Sequence, residues 1–162
     1  MEAKELMIND IVGSRFQAQP MRYSGIFTNY EPLNEKPYTR LRLMFSENEG
    51  LDVPECDVVP IPLTPEILEK NGFWYGILPD EDDMLSLGLG VPVDIEKRWV
   101  FDNENGGTIS ITFPNESDGG IINIHNDDKH LSFVWYYDLN IHELQHALRL
   151  CGLSDIADNF KV

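Results

Sequence analysis

Apolar and polar residues alternate most regularly between Lys97 and Asp138, where four runs are separated by turn formers. Arg98 to Asp102, Thr108 to Phe113, Gly120 to His125 and His130 to Tyr137 are divided by Asn103 to Gly107, Pro114 to Gly119 and Asn126 to Lys129. The pattern predicts a meander of antiparallel strands. Period two puts Ile109, Ile111 and Phe113 on one face, with Thr108, Ser110 and Thr112 on the other, and it lines Leu131, Phe133, Trp135 and Tyr137 along one side of the last strand. One face of such a sheet needs cover. Ile141, Leu144, Leu148 and Cys151 recur at helical spacing, which predicts a helix over 141–151 and makes it the candidate cover.

Upstream the signals are shorter. Ile8 to Val12, Arg22 to Thr28 and Leu41 to Phe45 have strand character, and the polar, proline-containing segments 29–38 and 46–55 between them read as loops. A helix over 64–71 is well marked, with Thr64 to cap it, Pro65 at its first position, Gly72 beyond its end, and Ile67, Leu68 and Phe73 to bury. Trp74 to Leu78 reads as a strand, and Met84 to Val93, with Gly88 and Gly90, as an irregular strand or loop. The expected fold is α+β, an antiparallel meander with helices on one face, preceded by a small β-rich lobe. The corresponding division is 1–62 and 63–162, or one continuous domain.

A length of 162 residues suits one core or two small ones. The formal net charge of -16, from twelve basic and twenty-eight acidic residues, changes the picture more. Phosphate backbones and anionic membranes are gripped by Lys and Arg, so direct nucleic-acid or membrane binding is disfavoured and a basic protein is the expected partner. No leader or long apolar segment stands out, and a cytoplasmic location is the default expectation. Cys56 and Cys151 are too few for a disulfide framework, and both read as small buried hydrophobes.

One catalytic motif is present. His142, Glu143 and His146 spell H-E-x-x-H, which on a helix aligns two imidazoles to share a zinc ion while the carboxylate activates its bound water. Against it, Asn140 and Glu143 have the spacing of a capping box, which gives the glutamate a structural task. A stripe centred on Leu144 and Leu148 also turns His142, His146 and Arg149 toward the wetter side. No His or Glu follows among the sixteen residues after His146, which leaves Asp155 or Asp158 as the third donor. The expectation is therefore no catalytic residue and no metal, the alternative being zinc on His142, His146 and Asp155 with Glu143 as base.

His125 and His130 flank a turn carrying Asp127 and Asp128, so all four histidines fall within 125–146. The bland reading is a polar hairpin tip. The acidic run Asp80 to Asp83 lacks the spacing and glycine of an EF-hand loop. Phosphate-binding glycine loops, a G-x-S-x-G elbow and a dinucleotide fingerprint are missing, and Trp74, Trp99 and Trp135 read as core.

Three segments in order, Lys4 to Val12, Pro60 to Leu68 running on to Gly72 and Phe73, and His142 to Leu148, resemble a group of small uncharacterised proteins from Bacteroides-type gut bacteria and their phages. That group more often has a basic residue and a glycine where this chain has Met7 and Asn9, and its closing helix often reads H-x-L-Q-N. The resemblance implies that the helix does not require H-E-x-x-H, and it implies no activity. Together these features point to a non-enzymatic acidic accessory module of bacterial or mobile-element origin that binds another protein. In its sharper form it is a nucleic-acid mimic with Glu47, Glu49, Asp52, Glu55, Asp57 and Asp80 to Asp83 ranged along one surface.

Overall fold

The computed structural model describes residues 6–29, 38–77, 97–102, 107–113, 120–135 and 137–162. Residues 30–37 of the expected loop at 29–38, the acidic run Asp80 to Asp83, the segment Met84 to Val93, the turn residues 103–106 and 114–119, and Tyr136 lie outside them. The architecture is α+β, dominated by antiparallel strands in two five-stranded sheets. By its internal contacts the chain divides into two compact units, one comprising Met1–Leu63 with Leu139–Phe160 and Val162, the other Thr64–Asp138 with Lys161.

In the first unit the sheet runs β4-β3-β2-β1-β5, with β1 Ile11–Ser14, β2 Gln17–Asn29, β3 Tyr38–Met44, β4 Gly50–Pro54 and β5 Val58–Val59. Alternation makes the core. Leu41 and Leu43 point inward from β3 between the outward-facing Arg40 and Arg42, and they meet Val12, Met21, Tyr23, Val53 and Val58. Burying each Leu or Val contributes roughly 1.5–3 kcal/mol. Pro20, which cannot donate to a ladder, falls where the β1–β2 register shifts between Val12 and Ser14.

Two expectations need correction here. Segment 46–55 is not all loop, because Leu51 and Val53 alternate with Asp52 to make β4, whose Asp52 carboxylate meets Arg42 across the ladder. The first strand begins at Ile11, not Ile8. Asn9 has φ 71°, and Asp10 N–H donates to Met7 O at 3.0 Å, so residues 7–10 form a turn.

The unit is completed by α2 Ile141–Leu150 and α3 Ser154–Asp158. Where the chain leaves the unit and where it returns, the two segments are zipped together. Leu63 N–H donates to Leu139 O at 2.7 Å, and Ile141 N–H to Ile61 O at 2.9 Å, on either side of a Pro62–Asn140 bridge. Within this unit α2 packs chiefly on α3 and β1. All four residues of β1 are buried, as a strand covered on both faces must be.

The second unit opens with α1 Pro65–Lys70. Thr64 Oγ1 caps it by accepting from Ile67 N–H, Pro65 occupies the first position, and Gly72 at φ 83° closes it. Its sheet runs β10-β9-β8-β7-β6, from β6 Trp74–Ile77, β7 Lys97–Asp102, β8 Thr108–Thr112, β9 Gly120–Asn126 and β10 Lys129–Trp135. Ile109, Ile111, Ile122 and Ile124 are fully buried on one face. Trp135 lies across Gly120, its register partner, and a Cβ on that glycine would come within 2.6 Å of the indole and of Thr112 O. Tyr137 lies past the end of β10 and is 86% exposed, and Trp74, expected in the core, is 43% exposed.

Candidate functional site

The H-E-x-x-H segment occupies the first two turns of α2. Glu143 caps the helix, its Oε2 accepting from Asn140 N–H at 2.8 Å and from Asn140 Nδ2 at 3.0 Å. His142 is buried at 7% exposure and His146 is half-buried, so the two imidazoles do not lie on a wet face as expected. The reason is that α2 is enclosed on more than its apolar stripe. Ile141, Leu144, Ala147, Leu148 and Cys151 are buried, and so is Gln145 at 0%.

Gln145 is satisfied by the start of the first sheet. Its Oε1 accepts from Ile11 N–H at 2.8 Å, and its Nε2 donates to Ala157 O at 2.7 Å and to Asn9 O at 3.3 Å. Three backbone groups from three segments are thereby answered by one side chain. A buried amide without such partners would be costly, and with them it fixes a single register of α2 on β1.

Asp10 is the second anchor. Its side chain is fully buried and accepts from Met7 N–H at 2.7 Å. His146 Nε2 lies 2.6 Å from Oδ2, and Arg149 Nη1 donates to Oδ1 at 2.5 Å. Arg149 also reaches Asp158 Oδ1 from Nη2 at 2.9 Å, which ties α3 to the same cluster. A carboxylate in such a place needs a cation, and Arg149 supplies it. Arg22 stands nearby, donating to Asn9 O and Phe160 O at 3.2 and 2.9 Å. Burial lowers its pKa, partly offset by Asp158 and reinforced by Arg149. Tyr23 is raised above the ordinary phenol value, by burial and then by the Asp10 charge.

In this arrangement two of the groups that the zinc alternative would use already have partners: His146 Nε2 faces Asp10, and Glu143 is committed to the helix start. Asp155 is exposed in the first turn of α3. Among the described residues no group of three or more His, Cys, Asp or Glu is placed to hold a metal ion. Asp10 and Gln145 are the residues that sequence reasoning missed, and Asp158, considered there as a metal donor, pairs with Arg149. A signal existed, since His142, Gln145, His146 and Arg149 form a second, polar stripe at helical spacing.

Two surface features remain in the first unit. A groove of about 550 Å³ is lined by Met21, Arg22, Met44, Phe45, Glu47 and Phe160 among others, with Phe45 40% exposed. Beside it, Glu47 and Glu49 are exposed in the β3–β4 turn, and Glu55 and Asp57 follow the far end of β4. Asp52 between them forms a bidentate pair with Arg42, whose guanidinium lowers the carboxyl's pKa. Cys151 is buried as expected, but Cys56 is exposed, because it falls in the short 3-10 turn Glu55–Asp57 outside any strand. Compared with known protein families, with curated proteins and with solved structures, the chain matches none.

Proposed function

We propose that this protein is a non-enzymatic, acidic accessory module, of bacterial or mobile-element origin, whose work is to bind a basic protein. The observation that carries this reading is the occupation of α2. Glu143, Gln145, His146 and Arg149, polar side chains that could have done chemistry there, hold the fold together. A surface suited to binding is the groove edge, where Met44 and Phe45 offer apolar contact beside Glu47 and Glu49. An apolar anchor rimmed by carboxylates suits a cationic partner, and the net charge of -16 speeds its approach. Among the described residues no helix is long and apolar enough to cross a membrane. Nucleic-acid mimicry is the sharper form, with Glu47 and Glu49 before edge strand β4 and Glu55 and Asp57 after it. The Arg42 partner of Asp52 interrupts that series.

The test is capture of a basic protein at low salt on the untagged, immobilised chain, followed by titration of the purified partner. Phe45→Ala, and Glu47→Lys with Glu49→Lys, should each weaken binding roughly tenfold or more without lowering the thermal midpoint. If no basic protein is retained, or if these variants bind as the parent does, the reading fails. The rival is a zinc hydrolase on His142, His146 and Asp155 with Glu143 as base, favoured only by imidazole centroids 5.8 Å apart. Stoichiometric zinc in protein purified without a histidine tag, lost on His146→Ala together with hydrolytic activity, would establish that rival.

A further inference from the structure

The β9–β10 hairpin of the second unit carries the other two histidines. Register pairs His125 with His130, one rung beyond the Asn126–Lys129 pair that closes the two-residue turn, where Asp127 has φ 53°. In a hairpin of this kind the closing rung is the hydrogen-bonded one. The next is a non-hydrogen-bonded pair, whose side chains approach most closely. Both histidines are exposed, on the face opposite the buried Ile122 and Ile124. Their ring centroids are 6.3 Å apart, with the planes inclined at 56°.

That spacing is nearly a chelate. Imidazole nitrogens about 2.0–2.1 Å from one ion, at tetrahedral or square-planar angles, place the ring centres roughly 4.5–5 Å apart. The rings must therefore close by roughly 1–2 Å, which rotation of two exposed side chains supplies without moving the backbone. Two rungs below, on the same face, Ser132 Oγ donates to Asn123 Oδ1 at 2.6 Å, and among the described residues no hydrogen bond ties either imidazole elsewhere. His146 differs, because Asp10 already holds its Nε2.

We propose that His125 and His130 form a two-imidazole site for a late divalent transition metal, copper(II) ahead of nickel and zinc, clamping edge strand β10 to β9. The order follows from the general affinity of nitrogen ligands across that row of metals. Copper(II) can take the two adjacent rings at cis positions of a square plane, its remaining positions being filled by water.

The experiment is calorimetric titration of the full, untagged chain with copper(II) and separately with nickel(II), and a proton NMR titration with substoichiometric copper(II). One ion per chain is expected, with the ring protons of His125 and His130 broadened first. His125→Ala and His130→Ala should each weaken binding roughly tenfold or more, since each removes half of the chelate. Both side chains are exposed, so the variants should keep the parental circular dichroism spectrum. Undiminished affinity in the double variant, or broadening that begins at His142 and His146, would overturn the assignment. Binding that is indifferent to either single substitution would show a surface ion of no fixed address and would also defeat it.

Discussion

Replacing Gln145 by Leu keeps the side chain's volume and removes all of its hydrogen bonds. Asn9 O would still accept from Arg22, so it is not orphaned. Ala157 O would keep the backbone amides of Asn159 and Phe160, so the group left orphaned is Ile11 N–H. Ile11 is 4% exposed and Ala157 is fully buried, so water cannot easily replace what is lost. The orphaned amide costs about 1–3 kcal/mol, each of the two lost bonds to carbonyls about 0.5–1.5 kcal/mol, and the added apolar burial of Leu returns about 1–2 kcal/mol. The net loss is about 1–4 kcal/mol. All three tryptophans, Trp74, Trp99 and Trp135, belong to the second unit, so indole fluorescence is the wrong probe. Denaturant unfolding followed by far-ultraviolet circular dichroism, with hydrogen exchange at the Ile11 amide, reads the first unit directly. A loss below about 1 kcal/mol with unchanged protection at Ile11 would refute the account of Gln145 as the link between α2 and β1.

Three further outcomes follow from the same coordinates. Glu143→Ala should lower stability by about 1 kcal/mol through lost capping, with helical signal reduced in thermal melts and no zinc-dependent hydrolysis changed. Tyr23 has a raised folded pKa, so the stability contributed by its neutral phenol is complete below its unfolded value of 10.0 and is lost as pH rises through the higher folded value. Alkaline unfolding of the first unit should therefore be relieved in Tyr23→Phe, as judged by circular dichroism titration. Gly120→Ala should push the Trp135 indole off its neighbour, costing about 1–3 kcal/mol and shifting tryptophan emission.

Much of the second unit was legible in the chain because its signals are local. Thr64, Pro65 and Gly72 bracket α1, and period-two isoleucines separated by turn formers trace the strands. In the first unit the decisive interactions are not local. Asp10 and His146 are 136 positions apart, and nothing near either residue announces the other. The stripe of α2 was read correctly as apolar, but a polar stripe beside it was assigned to water when buried Asp10 and the β1 backbone were its partners. Edge strand β4 was missed because Asp52 and Pro54 look like loop residues until Arg42 is seen across the ladder. The capping reading of Glu143 needed only three residues of context, and its hydrogen bond is present.

The link from Ile11 to Gln145 spans 134 positions, with the whole of Thr64–Asp138 synthesised in between. At translation rates of about 5–20 residues per second, the nascent β1 waits on the order of ten seconds before its helical mate leaves the ribosome. During that interval the later, contiguous unit is free to mature first, while the earlier sheet stands with an amide and a carboxylate unanswered. Chaperone dependence during expression should accordingly track the opening third of the chain, even though that third is made first.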